Sequence, residues 1–151
     1  KSHYYAARTT QAYRQAIDDS AAGKSFDMGL MDTLENMSNR GYTEGFYRRH
    51  VHDEYQNYNS GSSISTQQQF VGEVIASDKD WLMIDVKNRF QVGDELELMT
   101  PEGNVTFELK SIQSKHGESR SDAPGSGFIV KIPTPAGITT ADKSLLIRNL
   151  K

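Results

Sequence analysis

The spacing of apolar side chains changes along the chain, from a helical period in the first third to an alternating period in the second half. Near the start, small and apolar side chains recur three and four positions apart, as on one face of a helix. They are Tyr5, Thr9, Ala12, Tyr13, Ala16 and Ile17. A second helical pattern follows Asp27, with apolar positions at Leu30, Leu34 and Met37. Because the joint between the two patterns is short, we predict a helical hairpin over residues 1–38.

The second half of the chain carries short apolar segments separated by turn sequences. Alternation is clearest from Val105 to Leu109, as in a strand with one face in a core and one in water. The predicted strands are Phe70–Ala76, Trp81–Val86, Asp94–Met99, Val105–Ile112, Phe128–Ile132 and Leu145–Arg148. Since closure leaves no exposed edges, we expect a small six-stranded antiparallel β-barrel over residues 70–151. The predicted fold class is mainly β with an N-terminal helical hairpin.

Residues 39–69 form a predicted junction loop and linker between these two parts. The stretch from Gln56 to Gln69 is polar and cannot bury much apolar surface. Ahead of it lies a cluster of basic and aromatic side chains, here called the junction cluster. It consists of Arg40, Tyr42, Phe46, Tyr47, Arg48 and Arg49. Arginines can contact phosphates and aromatic rings can stack on unpaired RNA bases, but the same rings could instead pack the seam between hairpin and barrel. Both readings of the junction cluster stay open.

Charge and cysteine content limit the chemistry that the chain can perform. The formal net charge is −3 and there is no cysteine, so a thiolate nucleophile, a disulfide framework and a Cys-ligated metal are excluded for this chain. An acidic chain has no global field that attracts nucleic acid, so any RNA contact must be local. The sequence shows no apolar run long enough for a membrane helix, and we expect a cytoplasmic protein without a membrane partner.

Metal binding and hydrolysis are weakly supported by the sequence. His50, His52, Asp53 and Glu54 are all metal-ligand types, but no third ligand at suitable spacing accompanies the two histidines. No serine lies in a nucleophile elbow, and the metalloprotease pattern of two histidines four residues apart with an intervening glutamate is missing. The sequence therefore predicts neither a metal site nor a catalytic residue.

Four strings of residues resemble a known family. They are Tyr4–Thr9, Ala12–Asp18, Asn39–Phe46 and Phe70–Val74, and they are similar to the C-terminal region of the collagenase-like peptidase family U32. The similarity is greatest to the branch regarded as prephenate-dependent tRNA uridine hydroxylases. The resemblance implies a barrel similar to the second domain of elongation factor Tu, in which Arg89–Leu96 would begin a strand.

The resemblance also implies what this chain does not contain. The cysteines of the family lie in an upstream catalytic domain, and the chain starts at Lys1 without a methionine, so we expect the non-catalytic C-terminal part of a longer protein. Its expected partners are its own upstream catalytic domain and tRNA, and no cofactor is expected in this part. Two alternatives stay open. The chain could be part of a peptidase that acts on proteins, or a purely structural or dimerisation domain.

Overall fold

The computed structural model describes residues 3–37, 67–138 and 141–150. The chain divides into two compact units, residues 1–67 and 68–151. All six residues of the junction cluster, together with His50, His52, Asp53 and Glu54, lie outside the described residues. Of the predicted junction 39–69, only the last three residues are described.

The first unit contains the two predicted helices, α1 at His3–Ala21 and α2 at Gly29–Glu35, which pack against each other. Lys24 N donates a hydrogen bond to Asp19 O at the end of α1. Asp27 then helps to begin α2, because its Oδ1 accepts a hydrogen bond from Gly29 N at 2.8 Å. Short polar side chains at this position satisfy backbone donors that have no partner inside the helix.

The buried face of α1 differs from the predicted one. Its fully buried residues are Tyr4, Arg8 and Ala12, one every four positions, whereas Tyr13 and Ile17 are 62% and 58% exposed. The guanidinium of Arg8 lies over the ring of Tyr4, 5.7 Å from the ring centroid, and its Nη1 donates to Gln11 Oε1 at 3.4 Å. An arginine can bury its aliphatic stem in this way while its charge rests on an aromatic face.

The second unit contains ten short strands and no described helix. They are β1 Gln68–Ser77, β2 Trp81–Val86, β3 Phe90–Gln91, β4 Glu95–Thr100, β5 Gly103–Glu108, β6 Ile112–Ser114, β7 Ser119–Arg120, β8 Asp122–Ala123, β9 Ile129–Pro133 and β10 Leu145–Asn149. Eight of them form one sheet in the order β5-β4-β10-β1-β2-β9-β6-β7, and β3 pairs with β8 in a separate two-stranded sheet. All the pairings are antiparallel.

The predicted strand Val105–Ile112 is two strands, β5 and β6, because the chain changes partners between them. Leu109 still bonds to the turn before β4, donating to Asp94 O and accepting from Gly93 N. The chain then leaves that edge, and β6 pairs with β9 and β7 instead. Residues 113–127 lie in none of the other predicted strands, yet they contain the end of β6 and two further short strands, β7 and β8.

The predicted closed six-stranded barrel is not confirmed. Within the described part of the second unit, the end strands β5 and β7 do not pair with each other, so the sheet stays open. It nevertheless curls around one core, since Leu98 of β4 and Ile112 of β6 share a buried cluster although four strands separate β4 from β6. The sheet ends at β7 because that strand has two residues, after which the chain pairs with β3 in the second sheet.

Strand β1 is central, because it pairs with β10 on one side and β2 on the other. Its residue Gly72 stands directly against β2. A Cβ at this position would lie 2.5 Å from Ile84 Cγ2 and 2.9 Å from the backbone oxygen of Asp85. The register with β10 shifts between Phe70 and Gly72, so glycine allows both the bulge and the close approach.

Replacing Gly72 with alanine should therefore lower the free energy of unfolding by about 1–3 kcal/mol, because the new methyl group must displace backbone. Urea unfolding followed by the fluorescence of Trp81, the single tryptophan, measures this loss. Ala76→Ser is the matched control, since it adds one non-hydrogen atom at an exposed position of the same strand. Equal unfolding midpoints for the two variants would contradict the packing constraint.

The turn between β1 and β2 is held by the carboxylate of Asp78. Its Oδ1 accepts hydrogen bonds from Trp81 N at 2.7 Å and Asp80 N at 2.8 Å. These two backbone bonds hold the pKa of Asp78 below its ordinary value. The turn therefore places Trp81 at the start of β2, where it pairs with Pro133.

A lowered folded pKa means that ionised Asp78 stabilises the folded state above its unfolded pKa of about 4, and that this contribution is lost as the pH falls through the folded pKa. Asp78→Asn keeps an oxygen acceptor but does not titrate. We expect the free energy of unfolding to fall less steeply for this variant than for the unchanged chain as the pH decreases from about 5 to 2. Parallel profiles in urea titrations across this range would exclude the effect.

Candidate nucleic-acid interface

Charge is distributed unevenly over the sequence of the second unit. Residues 93–109, which contain β4 and β5, include five carboxylates and no lysine or arginine. Residues 110–133, which contain β6 to β9, include four lysines or arginines and two carboxylates. Because the phosphate backbone supplies most of the attraction in nucleic-acid binding, the β6–β9 side is the better candidate for an RNA contact.

On the acidic side, carboxylates are held by amide side chains. Glu97 is only 8% exposed, and its two carboxylate oxygens accept from Gln68 Nε2 at 3.0 Å and Asn104 Nδ2 at 2.8 Å. Asn149 joins the same network, since its Oδ1 accepts from Gln68 and its Nδ2 donates to Glu95. These bonds link strands β1, β10, β4 and β5, so the network serves the sheet.

A polar cleft of about 250 Å³ adjoins this network, lined by Gly93, Asp94, Glu95, Arg148, Asn149 and Leu150. Its arginine is already engaged, because Arg148 Nε lies 3.0 Å from Asp94 Oδ2. This contact is an ion pair without hydrogen-bond alignment. The same Asp94 oxygen accepts a hydrogen bond from Gln91 N at 2.8 Å. We read the cleft as part of the support for β4, since its cation has a carboxylate partner and two carboxylates line it.

On the basic side, the hairpin between β6 and β7 presents Lys115 and His116 to solvent. The hairpin tip is fixed by Ser114, which is buried and whose hydroxyl accepts from the backbone nitrogens of His116 and Glu118, each at 3.2 Å. Lys115 and His116 both lie on a defined turn between two paired strands.

Two arginines contact residues of the chain segment that follows β7, and one of those residues is an exposed phenylalanine. Arg89, just before β3, forms an ion pair with Asp122 of β8, with Nε and Oδ2 3.2 Å apart. Arg120 of β7 lies over the ring of Phe128, with its guanidinium carbon 5.7 Å from the ring centroid. Phe128 is 43% exposed. A guanidinium on an exposed aromatic ring is the combination that binds unpaired bases and phosphates.

The residues predicted to contact RNA are not among those that the structure describes. The junction cluster was the sequence-based candidate, and it lies outside the described residues, so its role stays a prediction. Phe128 was predicted only as the first residue of a strand. The signal that could have singled it out is the sequence Gly125-Ser126-Gly127 immediately before it, which ends the excursion into the small sheet and turns the chain back to β9.

Two features are absent from the described residues, a cluster of metal ligands and a membrane-spanning helix. Among them, no group of three or more His, Asp or Glu side chains is arranged to hold a metal ion. In the same ranges, no helix is both long and apolar enough to cross a membrane.

Comparison with known proteins assigns the family. Residues 66–148 match the family profile described as Peptidase family U32 C-terminal domain, and residues 1–57 match the profile described as Peptidase family U32. The chain belongs to peptidase family U32.

Two similar proteins are both called tRNA hydroxylation protein P. The protein of Escherichia coli (strain K12) is 54% identical over 150 residues, which is 99% of this chain and 33% of that protein. The protein of Haemophilus influenzae is 52% identical over 152 residues, with the same coverage. The chain therefore spans about a third of the length of these curated relatives.

Among solved structures, the chain is similar to the C-terminal domain of a Geobacillus thermoleovorans U32 peptidase. The sequence identity is 24% and the TM-score is 0.48, over 55% of this chain and 93% of that chain.

The amide network on the acidic side predicts a stability effect. Glu97→Ala removes a buried carboxylate that accepts hydrogen bonds from Gln68 and Asn104 and should lower the free energy of unfolding by about 1–3 kcal/mol. Glu108→Ala is the matched control, because Glu108 is exposed and stands directly opposite Glu95; we expect a change within about 0.5 kcal/mol. If urea unfolding gives equal losses for both variants, the network does not stabilise the sheet.

Proposed function

We propose that this chain is the non-catalytic C-terminal part of a tRNA hydroxylation protein and that it helps to bind tRNA for uridine hydroxylation by an upstream catalytic domain. The observation that carries the proposal is the 54% identity to tRNA hydroxylation protein P of Escherichia coli over 99% of the chain. A cytoplasmic location follows from a tRNA substrate. No cofactor is assigned to this part.

The two units would have different tasks in such a protein. The helical unit falls within the match to the U32 family profile, so its proposed partner is the catalytic domain of the same protein. The exposed side chains Tyr13 and Ile17, one helical turn apart on α1, support this assignment, because exposed apolar side chains on one helix face are suited to packing.

The second unit would contact tRNA. Support comes from its charge distribution, with four lysines or arginines against two carboxylates in residues 110–133. The proposed likeness to the second domain of elongation factor Tu belongs here as well, now as a curled open sheet in place of the expected closed barrel. The basic residues and the curled sheet are proposed to contact tRNA, and no catalytic role is proposed for either.

Removing the second unit tests this division. We expect a truncated protein, from which only residues 68–151 have been removed, to bind a tRNA transcript more weakly than the intact protein. The logarithm of its affinity should also depend less on the logarithm of the salt concentration, because fewer phosphate contacts are made. Fluorescence anisotropy at several salt concentrations measures both quantities. Circular dichroism checks that the shortened protein is folded.

Unchanged tRNA affinity and salt dependence in a folded truncated protein would overturn the proposal. If the truncated protein instead melts at a lower temperature with unchanged tRNA affinity, the second unit is a structural domain. Its contribution would then be to stability alone.

A further inference from the structure

The pair formed by Arg120 and Phe128 has features that packing alone does not require. Burial of an aromatic side chain is strongly favourable, yet Phe128 keeps 43% of its surface exposed. A guanidinium 5.7 Å from its ring centroid is within the range of a cation–π contact. The ring is therefore both exposed and held by a cation.

Arg120 makes no ion pair within the described residues, although carboxylates stand two positions away on either side. Asp122 is taken by Arg89, at 3.2 Å. Glu118 is exposed at the tip of the β6–β7 hairpin, and its carboxylate forms no ion pair with Arg120 in the part of the chain that the structure describes. The charge of Arg120 thus has the ring of Phe128 as its one described contact, and it is available to an anion.

The backbone around Phe128 is fixed while its ring stays exposed. Phe128 O accepts a hydrogen bond from Val86 N at 2.9 Å, which ties it to the end of β2. Just before it, Gly127 has a φ of 91° and no atom within 4 Å of a Cβ position, so the turn needs glycine and borders open space. A ring on a fixed backbone loses little conformational entropy when a ligand stacks on it.

We propose that Arg120 and Phe128 form a stacking site for one unpaired base of an RNA, with the guanidinium of Arg120 also placed for the adjoining phosphate. This inference rests on the proposed function, that the second unit helps to bind tRNA. It specifies that the tRNA part recognised is single-stranded, since a ring stacks on a base only where the base is not paired inside a helix. Arg89, whose side chain is 65% exposed, adds positive charge beside Asp122.

Binding measurements on the full-length protein test this site. Fluorescence anisotropy would follow a labelled tRNA transcript, with a short oligouridylate and an RNA duplex of equal length as competitors. Phe128→Ala should weaken tRNA binding about 5- to 100-fold, the range expected for the loss of one stacked base. It should also lower the affinity for oligouridylate more than the affinity for the duplex.

Conservative changes separate stacking from packing. Phe128→Trp keeps a π face and should keep the tRNA affinity, whereas Phe128→Leu keeps an apolar side chain and should lose it. Arg120→Gln should weaken binding and reduce its salt dependence. The matched controls are Ile75→Ala and Lys79→Gln, an exposed apolar residue of β1 and an exposed lysine of the β1–β2 turn, for which we expect tRNA affinity to be unchanged.

The outcomes distinguish this inference from the proposed function. If removal of residues 68–151 weakens tRNA binding but folded Phe128→Ala and Phe128→Leu variants bind normally, the stacking site is wrong and the proposed function stands. If Phe128→Leu binds as well as Phe128→Trp, or all competitors lose affinity equally, the ring does not stack on a base. Melting temperatures equal to that of the unchanged protein confirm that each variant is folded.

Discussion

The close approach of β1 and β2 at Gly72 is the constraint on which the second unit depends. A side chain there would meet Ile84 Cγ2 and the backbone of Asp85, so glycine allows the two central strands to lie this close together. Strand β1 also bonds to the residues that follow β2. Val71 O, one residue earlier, accepts hydrogen bonds from the backbone nitrogens of Lys87 and Asn88, and Asn88 Nδ2 donates to Phe70 O at 2.7 Å.

Those bonds fix the point at which the chain leaves β2 and turns towards the small sheet. Arg89 follows directly, and β3 then pairs with β8. The pairing draws residues 121–128, between β7 and β9, out of the large sheet. Arg120 stands near the start of this excursion and Phe128 at its end, and the two meet because the excursion closes on itself. The candidate binding site formed by Arg120 and Phe128 therefore lies at the two ends of the segment that leaves the large sheet.

The sequence could predict elements that follow from a local pattern, but not those that depend on which strands pair. Helices α1 and α2 and strand β2 follow from local patterns, and β2 was predicted with its observed bounds, Trp81–Val86. Partner changes are not local, so the division of Val105–Ile112 into two strands could not be read from alternation. The two-residue strands β7 and β8 carry too few side chains to show a period.

The buried row of α1 was missed for a different reason. A helical pattern counts apolar residues, and Arg8 is not among the apolar positions of α1. Its guanidinium lies over the ring of Tyr4, a contact between two residues that a count of apolar positions does not register. The same reasoning applies to Phe128, whose apolar character predicts a core position. In each case a cation on a ring overrides the expectation from hydropathy.

The carboxylates of residues 93–109 and the basic side chains of residues 110–133 differ in how much they contribute to the sheet. Glu95 and Glu97 accept hydrogen bonds from the amide groups of Asn149, Gln68 and Asn104, and these bonds join the strands on which the residues lie. These carboxylates are therefore explained by the sheet itself. Lys115 and Arg120 have no comparable hydrogen bonds among the described residues, and folding does not account for their charges. Side chains that the fold does not use are the ones left for a partner, and their sign suits the phosphates of an RNA.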